Sequence, residues 1–321
     1  MTHIAAFITS PDVEHYAMKE RHAARIEETT GAKVRLCTSE EEFVEALRGA
    51  DIALCWRVKP EWLDQAPRLK WIATPAAGRE GMEPLADRPG LTVTHGAFHG
   101  EFIAETVVGM ILAEVRGVTD CVRYQEAGIN WPRAEVSRHM RPFRNSHVVI
   151  VGFGRIGEWI ARLCKPFGVR ITGVRRRPAP KPAFFGEDDD VITVKQLDAI
   201  LPETDHLVLA LPRENDSVNL MDARRLALLP KSACLYSIGR GHCIDEDALV
   251  ESLKASRLRA AYLDVFQKEP LPADSPLRTC PRVILAPHVS AAAALYMDRF
   301  VEQFLETYRT MWAPAHKAGK E

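Results

Sequence analysis

The sequence predicts an α/β protein made of two doubly wound parallel-sheet domains. Three observations carry this. Short apolar runs alternate with helical patterns over the first 97 or so residues, and a second alternation starts at Val148. Between them, Val148-Val149-Ile150-Val151 is a run of β-branched residues suited to a strand buried on both faces. A chain of 321 residues is long enough for two domains with a core each.

In the first unit the strands are expected at Ile4–Ile8, Val34–Cys37, Ile52–Trp56, Leu69–Ala73 and Leu91–Thr94. Ser39-Glu40-Glu41-Glu42 has the spacing of a capping box and opens a helix through Leu47. The stretch Thr74–Gly81 sets the small residues Ala76, Ala77 and Gly78 beside Arg79. Such a loop follows a strand, where α/β sheets bind ligands, and its N–H groups can hold a carboxylate. A plain connecting loop is the other reading. From Glu101 to Arg116 the chain is apolar nearly all round, which requires burial in a core or against a second subunit. Residues 120–145 read as a polar connector carrying Trp131, Pro132 and Pro142.

In the second unit Gly152-Phe153-Gly154-Arg155-Ile156-Gly157 follows the buried strand at once. Ile156, Trp159, Ile160 and Leu163 recur at helical spacing, predicting a helix that opens on the third glycine. That order suits a tight turn, close approach of a pyrophosphate, and phosphate oxygens held at the helix N-terminus. A structural turn without ligand is the alternative. The next strand, Arg170–Val174, leads into Arg175-Arg176-Arg177. A dinucleotide site for NAD usually carries an acid here for the ribose hydroxyl. Guanidinium groups instead suit a 2′-phosphate, so NADP(H) is the expected cofactor and NAD the alternative. An arginine-rich surface loop is the competing reading. Glu187 to Asp190 reads as a solvated acidic turn, and further strands are expected at Leu207–Ala210, Ala233–Ser237, Arg259–Leu263 and Val283–Leu285.

The composition excludes several classes. Forty-two basic and 43 acidic residues nearly cancel, so no nucleic-acid partner is expected. No apolar run approaches the ~20 residues that span a bilayer, and the N-terminus lacks a signal-peptide pattern. The seven cysteines are scattered, with no C-x-x-C, and read as buried reduced thiols rather than a disulfide frame or metal site. A metal-free cytoplasmic protein is the expectation.

Three residues at the ends of predicted strands are candidates for chemistry: Arg240 in Ser237–Gly241, Glu269 in Asp264–Leu271, and His288 in Ala286–Ala291. All three would fall on the carboxyl edge of one sheet, where a dinucleotide would lie. With the glycine turn and the stretch 237–249, their order and spacing are those of a known family. Residues 100–291 resemble the D-isomer-specific 2-hydroxyacid dehydrogenases. The resemblance implies a Rossmann cofactor domain over 98–291 and a smaller flavodoxin-like substrate domain over 1–97 plus 292–321. It implies a homodimer built on the helix near 101–116, with a small 2-oxo acid as substrate.

The resemblance also implies roles. Arg240 would bind the substrate carboxylate, His288 would donate the proton, and Glu269 would pair with His288. Asp264 would hold the nicotinamide end, and Arg155 and Ile156 the pyrophosphate. The cofactor set extends to Leu211, Pro212, Ile238, Gly239 and Ser290. Ala77 and Gly78 stand in the position of the family's carboxylate-binding loop, and Arg79 beside them is expected to meet a second negative group of the substrate, a phosphate or distal carboxylate. A 2-oxo acid presents a carboxylate and a developing alkoxide, so one fixed cation and one proton donor are what its reduction needs. The formate-specific branch has glutamine where Glu269 stands, so a carboxylate here favours 2-oxo acid chemistry. Gln267-Lys268 reads as surface variation without consequence. The expected activity is thus an oxidoreductase of glyoxylate or hydroxypyruvate type. The rivals are an NAD-dependent phosphoglycerate dehydrogenase-like enzyme and a dinucleotide-sensing binding protein like the family's co-repressor relatives.

Overall fold

The computed structural model describes residues 1–82, 85 and 89–313. The chain divides into two compact units, Met1–His99 with Ala292–Glu321, and Gly100–Ala291. Each is built on a parallel sheet.

In the first unit the strand order is β2-β1-β3-β4-β5, from β1 (His3–Phe7), β2 (Lys33–Leu36), β3 (Ile52–Cys55), β4 (Trp71–Thr74) and β5 (Thr92–His95). The central strands β3 and β4 are buried along their whole length, as apolar runs covered on both faces must be. Ser39 Oγ accepts from the Glu42 N–H at 3.2 Å and caps the helix Glu40–Leu47. The Glu42 carboxylate reaches one residue further back than a strict capping box and accepts from the Thr38 N–H at 2.8 Å. The helix Tyr296–Thr307 covers the sheet through Phe304, whose ring stacks on Trp71 at 4.9 Å.

In the second unit the order is β12-β11-β10-β9-β6-β7-β8, from β6 (His147–Val151), β7 (Arg170–Arg175), β8 (Asp190–Thr193), β9 (His206–Leu209), β10 (Cys234–Ser237), β11 (Ala260–Leu263) and β12 (Val283–Leu285). The chain runs outward from β6 through β7 to β8, returns to β9 on the other side of β6, and runs outward again to β12. The reversal between β6 and β9 opens the crevice in which doubly wound sheets hold ligands. The helix Gly100–Val115 buries Ile103, Val107, Val108 and Ile111 in the same core as Val148 and Ile150.

Several expectations are corrected. The helix after the glycines spans Arg155–Cys164, opening two residues before the third glycine. Its buried face is Gly157, Ile160, Ala161 and Cys164, while Trp159 and Leu163 are 46% and 37% exposed. Small residues lie against the sheet because strand and helix approach closely there. Residues 120–145 are no plain connector: they contain the helix Arg133–Ser137 and most of Val118–Glu126. The acidic stretch 187–190 is a solvated turn only in part: Glu187 and Asp188 form an exposed turn and Asp190, also exposed, opens β8, but Asp189 is 1% exposed. Asp189 accepts from the N–H groups of Ile171 at 2.8 Å and Gly186 at 2.7 Å, and pairs with Lys165 at 2.7 Å.

Because Asp189 satisfies three donors at once, Asp189→Ala should cost about 2–3 kcal/mol. A clear drop in the urea unfolding midpoint is expected, and an unchanged midpoint would contradict this bonding role.

Candidate active site

The glycine turn sits at the reversal point. Gly152 has a φ of +95°, and a Cβ there would lie 2.5 Å from the Ala210 carbonyl oxygen at the end of β9. A side chain at 152 is therefore excluded by conformation and by space. Gly154 opens the helix Arg155–Cys164 without a side-chain cap, and a Cβ on it would meet nothing within 4 Å. The first-turn N–H groups, including those of Arg155 and Ile156, are left for an anion in open space, which fits a dinucleotide pyrophosphate. Phe153 contributes backbone only, since its ring is buried against Gly173 and lies 5.5 Å from Phe185. Ile238 is buried, and Gly239 packs against Leu211 with no room for a Cβ.

The three candidate catalytic residues follow β10, β11 and β12, which are adjacent parallel strands. His288 Nδ1 lies 2.8 Å from Glu269 Oε2. The other Glu269 oxygen accepts from the Phe266 N–H at 3.0 Å, which fixes the carboxylate. The Glu269 hydrogen bond raises the protonation range of His288 against the opposing effect of burial. Burial pushes the Glu269 carboxyl up, but the bonds from His288 and Phe266 outweigh it and hold it below its ordinary value. The Arg240 charge acts on both. Arg240 is brought to this edge by Gly241, where a Cβ would fall 1.9 Å from the Phe266 carbonyl carbon.

Asp264 directly follows β11 and is 2% exposed. Its main-chain oxygen accepts from the His288 N–H at 2.9 Å. Its carboxylate accepts from the N–H groups of Val289 at 2.8 Å and Ser290 at 3.0 Å. These bonds hold the loop in which His288 takes a left-handed φ of 54°. Asp264 thus orients the loop bearing the imidazole. Ser290 is buried, with its hydroxyl 3.2 Å from the Tyr262 hydroxyl.

In the first unit the loop after β4 is tied down at Ala76, whose N–H bonds Thr74 at 3.2 Å and whose carbonyl accepts from Gly96 at 3.0 Å. His95 Nδ1 meets the Gly78 carbonyl at 2.9 Å, and Arg79 is exposed. Among the described residues no hydrogen bond is made by the N–H groups of Ala77, Gly78 or Arg79. They remain open to an anion.

Residues 108–290 match the family model for the NAD-binding domain of D-isomer specific 2-hydroxyacid dehydrogenases. A glyoxylate reductase of Thermococcus gammatolerans is 32% identical over 88% of this chain and 86% of its own length. A glyoxylate/hydroxypyruvate reductase B of Pectobacterium atrosepticum is 33% identical over 74% of this chain and 73% of its own. The chain belongs to the D-isomer specific 2-hydroxyacid dehydrogenase family. A dehydrogenase of this family from Xanthobacter autotrophicus, crystallised with NADPH and MES, superposes with a TM-score of 0.81 at 25% identity, over 96% of this chain and 94% of that one.

Other residues of this dehydrogenase support the site and were not singled out from sequence. Cys243 donates its thiol to the Arg240 carbonyl at 3.0 Å, and burial pushes that thiol up to about 12, so it stays protonated. Gln267 is not the inconsequential surface residue its type suggested. Its N–H bonds Glu246 at 2.7 Å and its side-chain amide bonds the Ile244 carbonyl at 2.6 Å, anchoring the loop that carries Glu269. Arg175 ends β7, and Arg176 and Arg177 beyond it are exposed. Arg176 is paired with Glu214 and lies 3.5 Å from Asp216, on the loop that starts at Leu211 and Pro212.

Proposed function

We propose that this dehydrogenase reduces small 2-oxo acids, glyoxylate and hydroxypyruvate among them, to D-2-hydroxy acids with NADPH as preferred cofactor. The observation that carries the reading is the 2.8 Å contact of His288 with Glu269, on the sheet edge that also bears Arg240. The relatives named for glyoxylate and hydroxypyruvate reduction, and the NADPH complex of a structural neighbour, support it. The three arginines at the end of β7, with no acid among them, support NADPH over NADH.

The cofactor, when bound, supplies hydride to the substrate's carbonyl carbon. Arg240 holds the substrate carboxylate and draws electron density from the neighbouring carbonyl. His288 enters as imidazolium and gives a proton to the carbonyl oxygen as negative charge develops on it. Glu269 keeps the ring charged and oriented through Nδ1, which leaves Nε2 for the substrate. In the reverse direction the neutral ring takes the proton back. In the first unit we assign the open N–H groups of Ala77 and Gly78, with Arg79, to an anionic group of the substrate.

We further assign a homodimer, supported by the apolar side chains of Val118, Val122, Ile129 and Trp131, all exposed along one stretch of chain. A cytoplasmic enzyme suits the seven free cysteines. Among the described residues no helix is long and apolar enough to cross a membrane.

Consumption of NADPH with a panel of 2-oxo acids tests the activity directly, and nucleotide binding without turnover would favour a sensor. His288→Ala should lower kcat by about two to four orders of magnitude while cofactor affinity changes little. Near-normal turnover would mean that another group donates the proton.

The pH dependence has a definite sign. Reduction needs the imidazolium, so kcat/KM for the 2-oxo acid should hold past the ordinary histidine range and fall above the raised pKa of His288. Oxidation of the hydroxy acid should rise over the same interval. Glu269→Gln should shift the descending limb of reduction to lower pH. An unmoved limb in that variant would separate Glu269 from the protonation of His288.

A further inference from the structure

The three arginines at the end of β7, Arg175 to Arg177, are not equivalent. Arg176 pairs with Glu214 and sits 3.5 Å from Asp216, whereas among the described residues no ion pair involves Arg175 or Arg177. Both carboxylates belong to the loop after β9, and β9 and β7 flank β6 and its glycine turn. The loop is fixed from inside by Ser217, whose hydroxyl donates to the Glu214 carbonyl at 2.8 Å and meets His242 Nε2 at 2.8 Å. The end of β7 lacks the acid that would accept from a ribose 2′-hydroxyl, but Glu214 brings a carboxylate to the same arginine run from a different strand. Its side chain is 35% exposed, against 60% for Asp216, which makes Glu214 the better held of the two.

We propose that Glu214 is a specificity-determining residue that competes with the cofactor's 2′-phosphate for Arg176 and so narrows the enzyme's preference between NADPH and NADH. A carboxylate and a phosphate monoester offer a guanidinium the same kind of charge-assisted contact, so Arg176 serves one at the expense of the other. A cofactor with a free 2′-hydroxyl brings no anion to compete and leaves the pair intact. Exposed ion pairs are weak, so the exchange is open to phosphate and its effect is bounded at about fivefold. The inference rests on the cofactor reading above only in taking the end of β7 as the adenosine end of the site.

The test is the ratio of dissociation constants for 5′-AMP and 2′,5′-ADP, by calorimetry, beside the kcat/KM ratio for NADPH and NADH. It is made on the full chain as wild type, Glu214→Gln, Asp216→Asn, Arg176→Gln and the Glu214→Gln/Arg176→Gln double variant. Glu214→Gln is expected to raise selectivity for the 2′-phosphate about two- to fivefold, and Asp216→Asn to raise it less. The Glu214→Gln gain should vanish in the Arg176→Gln background, because the competition runs through that guanidinium. Selectivity unchanged in Glu214→Gln, or an equal gain without Arg176, would overturn the proposal. If the nucleotide ratio shifts as expected while no 2-oxo acid is reduced with either cofactor, the functional reading fails and this inference stands.

Discussion

The candidate active site depends on how Asp264 is bonded. Its N–H donates to the Ser237 carbonyl at 2.9 Å, its own carbonyl accepts from His288, and its carboxylate accepts from Val289 and Ser290. One buried residue therefore ties together the ends of β10, β11 and β12, the three strands from which Arg240, Glu269 and His288 emerge. A carboxylate taken from water is stable only when such donors replace its hydration. The requirement acts in both directions: the loop satisfies the acid, and the acid holds the loop in the left-handed turn at His288.

Close backbone approach does the rest of the positioning. Gly152 lets the end of β6 pass against the end of β9, and Gly241 lets the Arg240 turn lie against the Phe266 backbone. Neither position leaves room for a β-carbon. The first contact lets the two strand ends close together at the sheet reversal, and the second sets a fixed cation whose charge acts on the imidazole and its acid. Cys243 and Gln267 then hold the two loops from behind with bonds to the main chain.

The features legible in the sequence were those with a local physical signature. A β-branched run followed by spaced glycines announces a buried strand and a tight turn into a helix, because both depend on residues within ten positions. The alternation of strands and helices likewise revealed two parallel sheets. What escaped depends on partners far along the chain. Asp189 sits among other acids and looked solvated, yet its donors come from Lys165 and from the backbone of β7. Trp159 and Leu163 repeat at helical spacing, but the face that packs on the sheet is the one carrying Gly157 and Ala161, since tight packing favours small residues. The pairing of Arg176 with Glu214 spans 38 positions and has no local trace at all.

The titration of the His288 ring in the free enzyme, followed by NMR, tests the central claim most directly, because the site works only if the Asp264-held loop presents that ring to Glu269. The imidazole is expected to stay protonated above the 6.5 of an unperturbed histidine, and Asp264→Asn to bring it back down. A ring that titrates at 6.5 or lower in the wild-type enzyme would contradict the account.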